Sequence, residues 1–568
     1  MKKLLVLAFL TSSAALAQQP AGDAQSPSLP PAVPLQIAPR VGVTSDVQLT
    51  LPEVIQAVLA NNRDVEVSRL SIQKASANVR AAKGYFDPVI GGTGYKLRQV
   101  TPQASSLGGA VNGAVAQDEI FADPQISGSS PFLGTNYTLD FSSAKINNNS
   151  SFNALNPTYP TAATLNLTQP LWRGLFFDQN RERLRVSRKG VAQTDAQFKQ
   201  SVITTVTLAI HAYWELEYAL RNLDVQVEAV RLAEQQDASN RRQVEQGTQA
   251  VVDVIQTQTQ MSNYQESVFN AQQTLTQAEN TLKSLMLPNH NDPMWNAALK
   301  TAITPEESAP IPTLQEALHQ ALAERPDLQA GEIGVQISEL DAKLAKEQVK
   351  PQINLTAQVG VQGLAGQTVV SSGGGFGAIF LPIINQINTL STLAGIPTLP
   401  ITSLSTTSSV PDFFIGGYGQ SLQTLRDGRF PTVKIGVQVS LPIGNRTARA
   451  ESAIANVNQK QTIAQQQQLE MTVESDVRNT LQKLMNADLI QDTARRAEQL
   501  AQQQLDSEQR QFKAGTSSVF LVLQRQSELI TAKLRAIRAT ADRGEAQADF
   551  DRATANTLHR QNIDISTK

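Results

Sequence analysis

Two periods alternate along this chain, one of 3.6 residues and one of 2, and their order is used twice. From Leu51 the apolar positions Val54, Val58, Leu59 and Val65 fall on one face of a helix. Leu51-Pro52-Glu53 puts proline in the first turn, where its missing N–H costs nothing, and an acid near the positive helix end. The pattern predicts a helix from about Leu51 to Gly84, ended by Tyr85-Phe86-Asp87-Pro88, because the residue before proline is pushed out of the α region. Leu314 to Lys350 does the same and stops at Pro351. Past each proline the period falls to 2. Ile353, Leu355, Ala357, Val359 and Val361 alternate with Asn354, Thr356, Gln358, Gly360 and Gln362. Val433, Ile435, Val437, Val439 and Leu441 alternate with Lys434, Gly436, Gln438 and Ser440. The first half offers Ala163, Leu165 and Leu167 against Thr164, Asn166 and Thr168, and a weaker run from Val89 to Leu97. Strands of about ten residues with one apolar face suit a membrane β-barrel, and equally a soluble sandwich with one wet face.

The second half repeats the first. Leu51, Glu53, Leu59, Ala60 and Asp64 recur 263 residues later as Leu314, Glu316, Leu322, Ala323 and Asp327, and Pro88 recurs as Pro351. At a separation of 268, Arg242-Gln243 returns as Arg510-Gln511 and Gly247-Thr248 as Gly515-Thr516. Val251, Val254, Gln256 and Gln258 return as Val519, Val522, Gln524 and Gln526. Spacing that survives while side chains diverge marks a duplicated structural unit.

Helix length decides between barrel and sandwich. Asp178 to Gln246 holds no proline and one internal glycine, Gly190, and Arg446 to Ala514 holds neither. At about 1.5 Å per residue, each predicts a helix of roughly 100 Å. Gly247 and Gly515 punctuate, and return helices of roughly 60 Å follow over Thr248 to Leu287 and Thr516 to about Asn556. An opening helix of roughly 50 Å and a return helix, end to end, match one long helix. Val202, Val206, Ile210, Tyr213 and Leu216 make a narrow stripe, and much of the remainder is Gln, Thr, Ser, Ala and Asn, most extreme at Gln465 to Gln468 and Gln502 to Gln504. A helix wet over much of its circumference, with a thin apolar seam, builds a coiled-coil-like wall. Such a wall suits a tube with water on both sides, continued by a barrel.

The ends and the charge set the compartment. Lys2 and Lys3, the apolar run Leu4 to Leu10 and Ala15-Leu16-Ala17 read as a secretory signal over residues 1–17. The apolar run falls short of the roughly 18 residues a spanning helix needs. Residues 18–48, rich in Pro, Ala, Gln and Ser, are expected to be a disordered lead-in. The 48 basic residues nearly balance 50 acidic ones, so there is no electrostatic case for nucleic acid. With no cysteine there is neither a disulfide framework nor a thiolate metal site.

Candidate chemistry is thin. The four histidines, His211, His290, His319 and His559, have no second ligand at metal-binding spacing. No phosphate loop and no nucleophile elbow occurs. Gly91-Gly92-Thr93-Gly94 falls on a predicted strand with no helix after it, which makes it a poor phosphate cradle. Nothing supports an enzyme, a cofactor or a metal. Two long inter-strand segments stand out. Pro351 to Pro411 has no charged residue, and Phe376 to Ile401 within it raises a transmembrane helix. Pro382, Pro397, Pro400 and Gly395, with Asn385, Gln386 and Asn388, argue instead for an uncharged surface loop with room for a short helix. Val100 to Pro160 has room for an additional hairpin around Asn136 to Phe141.

Taken together, the duplication, the proline-flanked strands between long Gln-rich helices and the Gly-Thr turn before Val-x-x-Val resemble the TolC-like outer-membrane efflux proteins. The resemblance covers about Leu49 to Asn556. Its most specific pieces are Leu51 to Asp64 with Leu314 to Asp327, Val244 to Gln256 with Phe512 to Gln524, and the strand exits Gln169-Pro170-Leu171-Trp172 and Ser440-Leu441-Pro442-Ile443. It implies an α+β membrane protein built from a duplicated unit of helix, β-hairpin and long helical hairpin. A first repeat would occupy 49–287 with strands near 88–99 and 161–172, and a linker 288–312. A second would occupy 313–556 with strands near 351–363 and 431–443, before a tail at 557–568. Four strands per chain would close a trimeric twelve-stranded barrel in the outer membrane, above an α-helical barrel in the periplasm. The implied function is an exit duct for small molecules or secreted polypeptides. Its implied partners are two further copies of the chain, outer-membrane lipid, a periplasmic adaptor (membrane fusion) protein and an inner-membrane efflux pump or ABC transporter.

Two sets of site residues follow. The alternation puts Leu355, Val359, Ile435 and Val437 toward lipid and Thr356, Gln358 and Gln438 toward the lumen. The resemblance implies a periplasmic tip, serving as gate and adaptor-docking site, at Gly247, Thr248 and Asp253 and at Phe512, Gly515, Thr516, Ser517 and Gln524. Asp253 matches the acidic position of the first tip. The second tip, with Phe512, Ser517 and Gln524, departs from members that latch it with charged side chains, which suggests closure by packing and neutral hydrogen bonds. A periplasmic coiled-coil adaptor without a pore is the competing reading, and it leaves two sets of amphipathic strands unexplained.

Overall fold

Both repeats open on the same device. The Thr50 backbone N–H donates to the Glu53 carboxylate at 2.8 Å, and that of Thr313 to Glu316 at 2.9 Å. Each acid thereby satisfies a free donor at a helix start. Those backbone hydrogen bonds hold both carboxyls below the usual glutamate range. The structure, a computed structural model, describes residues 34–564 except 38, 105–112, 151–152, 303–309, 370–375 and 400–409, with backbone alone for 376–381. The expected signal peptide lies outside these residues.

In chain order the first repeat runs β1 (Ser45–Thr50), α1 (Leu51–Asn61), α2 (Arg63–Gly84), β2 (Val89–Pro102), β3 (Ala114–Ser129), β4 (Asn136–Asn148) and β5 (Leu155–Pro170). It continues with α3 (Gln179–Glu245), α4 (Val251–Met286) and β6 (Ala297–Ala302). The second comprises α5 (Leu314–Glu324), α6 (Pro326–Val349), β7 (Gln352–Thr368), α7 (Phe376–Leu393), α8 (Tyr418–Arg426) and β8 (Phe430–Ser440). It closes with α9 (Arg446–Lys513), α10 (Val519–Ala553) and the single turn α11 (Thr557–Arg560).

Each opening helix is broken once, where a single helix is expected from the sequence. Asn62 and Arg325, equivalent in the two repeats, take extended ψ values of 130° and 123°. In the first repeat the Asn62 side chain accepts the N–H groups of Asp64 and Val65, at 2.9 and 3.2 Å, and so starts α2. In the second, Pro326 forces the residue before it out of the α region.

The described chain divides into two compact units. One holds β1, α1, the C-terminal parts of α3 and α9, α4, β6, α5 and α10. Its main core gathers Val54 and Val58 of α1, Ala209, Tyr213 and Leu216 of α3, and Leu275 and Leu282 of α4. Val54, Val58, Tyr213 and Leu216 belong to the stripes read from the sequence; the packing shows what they meet. Here β1 pairs in parallel with β6, burying Leu49 and Leu299. Residues 45–48, expected in the disordered lead-in, and 297–302, expected in a plain linker, therefore form strands. Each is too short to show a period, and each is stabilised by the other's backbone.

The other unit carries α2, α6, the N-terminal parts of α3 and α9, and one sheet of order β2-β3-β4-β5-β7-β8, antiparallel throughout. Six strands stand where the resemblance implies four. The extra pair is β3 and β4, joined by a turn at residues 130–135, so the segment with room for a hairpin holds two strands of the main sheet. The run that raised a spanning helix forms α7 up to Leu393, with Pro382 inside it. Among the described residues no helix is long and apolar enough to cross a membrane.

Candidate functional site

Strand register sorts the sheet's side chains into two faces. Val359 of β7 lies opposite Leu165 of β5 and Val433 of β8, and Leu355 opposite Val437; Ile435 pairs with Ala357 on the same face. Following the ladder outward adds Leu139 of β4 and Ile126 of β3, then Ile90 of β2. Toward the helix end of the sheet one face is therefore apolar across all six strands, and Val359, Val433, Ile435 and Val437 are exposed, whereas Lys96, Arg98, Asp118 and Lys145 stand on the same face toward the other end of β2, β3 and β4. The opposite face carries Lys434, Gln358, Asn166 and Thr138 in one row, and Thr432, Gly360, Thr164, Asp140 and Gln125 in the next. Asn166 donates to the Asp140 carboxylate at 2.9 Å, which ties β5 to β4 on that polar side.

The two hairpin tips share one backbone solution. Gly247 has φ +68°, Gly515 φ +78°. The Gly247 N–H donates to the Val244 carbonyl at 2.9 Å and the Thr248 N–H to the Gln243 carbonyl at 2.9 Å. At the second tip Gly515 donates to Phe512 and Thr516 to Gln511, both at 3.0 Å. This pair of bonds is the Schellman closure, which uses up the orphan carbonyls of a helix end and requires a residue tolerant of positive φ. Each threonine adds its hydroxyl to the same carbonyl, at 2.9 and 3.1 Å. That explains why Gly-Thr recurs rather than glycine alone.

Asp253 sits in the first turn of α4, where the helix dipole favours a carboxylate, and its carbonyl accepts the Thr257 hydroxyl at 2.9 Å. Phe512 packs on the small core of Leu505, Val522 and Leu529. The Ser517 hydroxyl hydrogen-bonds Glu508, and Gln524 donates to Glu528 at 3.0 Å. Among the described residues no cluster of three or more His, Asp or Glu could hold a metal.

Known proteins give this geometry a context. Residues 111–286 match the family described as "Outer membrane efflux protein". The Campylobacter jejuni CmeC outer membrane channel is 15% identical over 95% of this chain and 100% of its own, with a TM-score of 0.59. The outer membrane protein VceC of Vibrio cholerae is 14% identical over 89% and 95%, at 0.58. The open state of the Neisseria gonorrhoeae MtrE outer membrane channel is 15% identical over 89% of each chain, at 0.56. The family match covers residues 111–286, about a third of the chain. At these identities the solved structures speak for the fold, and no curated relative matches in sequence. The matched segment and the overall fold are both similar to those of outer-membrane efflux proteins.

Within this chain the two tips differ in a way the sequence reading missed. Asn240 and Thr257 are buried and share a hydrogen bond of 2.7 Å across the first hairpin. The equivalent positions of the second hairpin are Glu508 and Arg525, 3.9 Å apart, and Arg525 also meets Glu528 at 2.6 Å. The second tip thus carries an ion pair inside its own hairpin, where packing and neutral bonds are expected. Extending the 268-residue offset to Asn240 and Thr257 finds the pair.

Replacing Gly247 or Gly515 with alanine should cost about 1–2 kcal/mol each, through backbone strain alone. No heavy atom lies within 4 Å of an added Cβ at either position. Gly190→Ala, inside α3 and equally open, should be neutral or stabilising in the same denaturation assay.

Proposed function

We propose that three copies of this chain form an exit duct that carries small molecules or polypeptides from an inner-membrane pump to the exterior, through a periplasmic adaptor. One observation supports this above all: a single sheet with one face apolar across all six strands toward its helix end and one polar face, ending in the edges β2 and β8. In lipid an open edge leaves backbone donors and acceptors unsatisfied, and edge pairing between copies removes both edges at once. Leu355, Val359, Ile435 and Val437 then meet lipid, and Thr356, Gln358 and Gln438 line the lumen.

The tips at Gly247-Thr248 and Gly515-Thr516 form the periplasmic end, where the duct narrows and the adaptor docks against Phe512, Ser517 and Gln524. Symmetry triples Asp253 into a negative ring, which favours cations at a constriction. In planar bilayers Asp253→Asn should weaken cation preference with little change in assembly. Unchanged selectivity, with substitutions elsewhere along the helices altering it, would remove Asp253 from the constriction. Fractionation tests the wider reading: an adaptor without a pore would be soluble or bound to the inner membrane, whereas the duct stays with the outer membrane.

A further inference from the structure

We infer that the β3–β4 hairpin is a permanent part of the barrel wall, so that three chains close eighteen strands rather than twelve around a wider, more acidic lumen. The inference rests on the trimeric duct proposed above and adds the calibre and lining of its outer-membrane segment.

Four observations place the hairpin in the wall. First, β2 pairs with β3 without interruption, from Val89–Ser127 to Pro102–Ala114, and β5 pairs with β4 from Asn136–Thr168 to Ser143–Thr161. The strands that would be neighbours in a four-stranded sheet, β2 and β5, are separated by the pair. Second, toward the helix end of the sheet the apolar face continues through the insertion, with Ala122, Pro124 and Ile126 on β3 and Tyr137, Leu139 and Phe141 on β4, and charge (Lys96, Arg98, Asp118 and Lys145) enters it only toward the other end. A hairpin standing in water has no reason to keep that face in phase with its neighbours.

Third, the turn between the two strands is fixed at the helix end of the sheet. The Arg181 guanidinium, at the start of α3, donates to the carbonyls of Phe132 at 2.7 Å and Leu175 at 2.9 Å, and pairs with Asp178 at 2.7 Å. Arg181 is buried, and Gln169 of β5 also donates to the Leu133 carbonyl at 3.0 Å. A buried guanidinium is tolerated only where its donors are satisfied, and this turn supplies an acceptor.

Fourth, perimeters agree. A strand tilted about 40° takes up about 6 Å of circumference, so twelve strands span about 75 Å and eighteen about 110 Å. The helices of the same unit, α2, α3, α6 and α9, give twelve columns in a trimer. Spaced about 9 Å apart, they span about 110 Å. The wider barrel continues such a tunnel with little taper.

The hairpin also changes the lining. On the polar face β2, β5 and β7 contribute no charged residue and β8 contributes Lys434, whereas the hairpin brings Glu119, Asp123 and Asp140. Diameter grows about in proportion to strand number, so the outer-membrane segment would be about half as wide again as a twelve-stranded one. A wide acidic exit suits bulky cationic cargo.

The chain has no cysteine, so introduced pairs report cleanly. Two double variants test the wall, Asp140→Cys with Thr164→Cys across β4–β5, and Thr93→Cys with Asp123→Cys across β2–β3. Both should oxidise within single chains of the outer-membrane trimer, and electron cryomicroscopy of the detergent-extracted unmodified protein should show eighteen strands in section. A trimer with twelve strands, or one in which the β4–β5 pair stays reduced, overturns the inference and leaves the duct standing. A particle that is not a trimer, or has no pore, overturns the duct itself.

Discussion

Replacing Glu279 with alanine is expected to cost about 3–5 kcal/mol, more than any other single change considered for the helical unit. Glu279 and Lys283, one turn apart on α4, are both 2% exposed. The Glu279 carboxylate pairs with Arg40 at 2.7 Å and Lys283 at 3.4 Å, and accepts the Leu299 backbone N–H of β6 at 2.6 Å. Lys283 also donates to the carbonyls of Trp295 at 2.9 Å and Ala297 at 2.5 Å. This ionic pair clamps the segment between the repeats onto α4. Truncating the acid leaves a buried ammonium, a guanidinium and an amide short of their acceptor, and that desolvated charge supplies most of the cost. Glu279→Gln, which keeps shape and one acceptor, should cost less. The double change Glu279→Leu with Lys283→Met should recover much of the loss, because a well-packed apolar pair can replace a buried ionic one. The check is guanidinium unfolding of the detergent-extracted protein. A loss below about 1 kcal/mol for the alanine variant would mean that water reaches the pair.

Neither residue of that clamp stands out in the sequence, and the reason is physical. A glutamate and a lysine four apart on a polar helix read as a solvated face, and only β6 and Arg40, distant in the chain, bury them. Periodic features were legible. The alternation of β7 and β8 assigns their faces without coordinates, and the Gly-Thr positions mark turns that geometry shows to be Schellman closures. The β3–β4 pair was legible as room for a hairpin around Asn136 to Phe141 but not in its register, because its apolar face is carried partly by Ala122 and Pro124, while Asp118 and Lys145 interrupt it near one end. Small residues and end charges blunt an alternation that large β-branched residues make plain on β7 and β8. The helix break at Arg325-Pro326 was readable from the proline; the one at Asn62 depends on a side-chain cap that a periodic pattern does not reveal.

The face proposed to meet lipid makes the other large prediction. Val359→Lys should cost about 2–4 kcal/mol per chain if this position lies near the bilayer midplane. Val359 stands mid-strand between Leu165 and Val433, about half exposed, with an apolar neighbour on each side. Ile435→Lys, one register step away, should behave alike. Thr356→Lys is the control. It lies on the polar face between Thr168 and Gly436, where water can solvate the new charge and no cation stands directly opposite. Gln358 would make a poorer control, because Lys434 faces it across the ladder and like charges there repel. The measurement is the yield of assembled trimer in the outer membrane and its denaturation midpoint. The two lipid-face variants should fail together while Thr356→Lys assembles. The proposed trimer presents the substituted position three times, so a per-chain cost of this size should all but abolish assembly. Equal defects on both faces would show that the sheet packs against something other than lipid, and the barrel reading would fall with it.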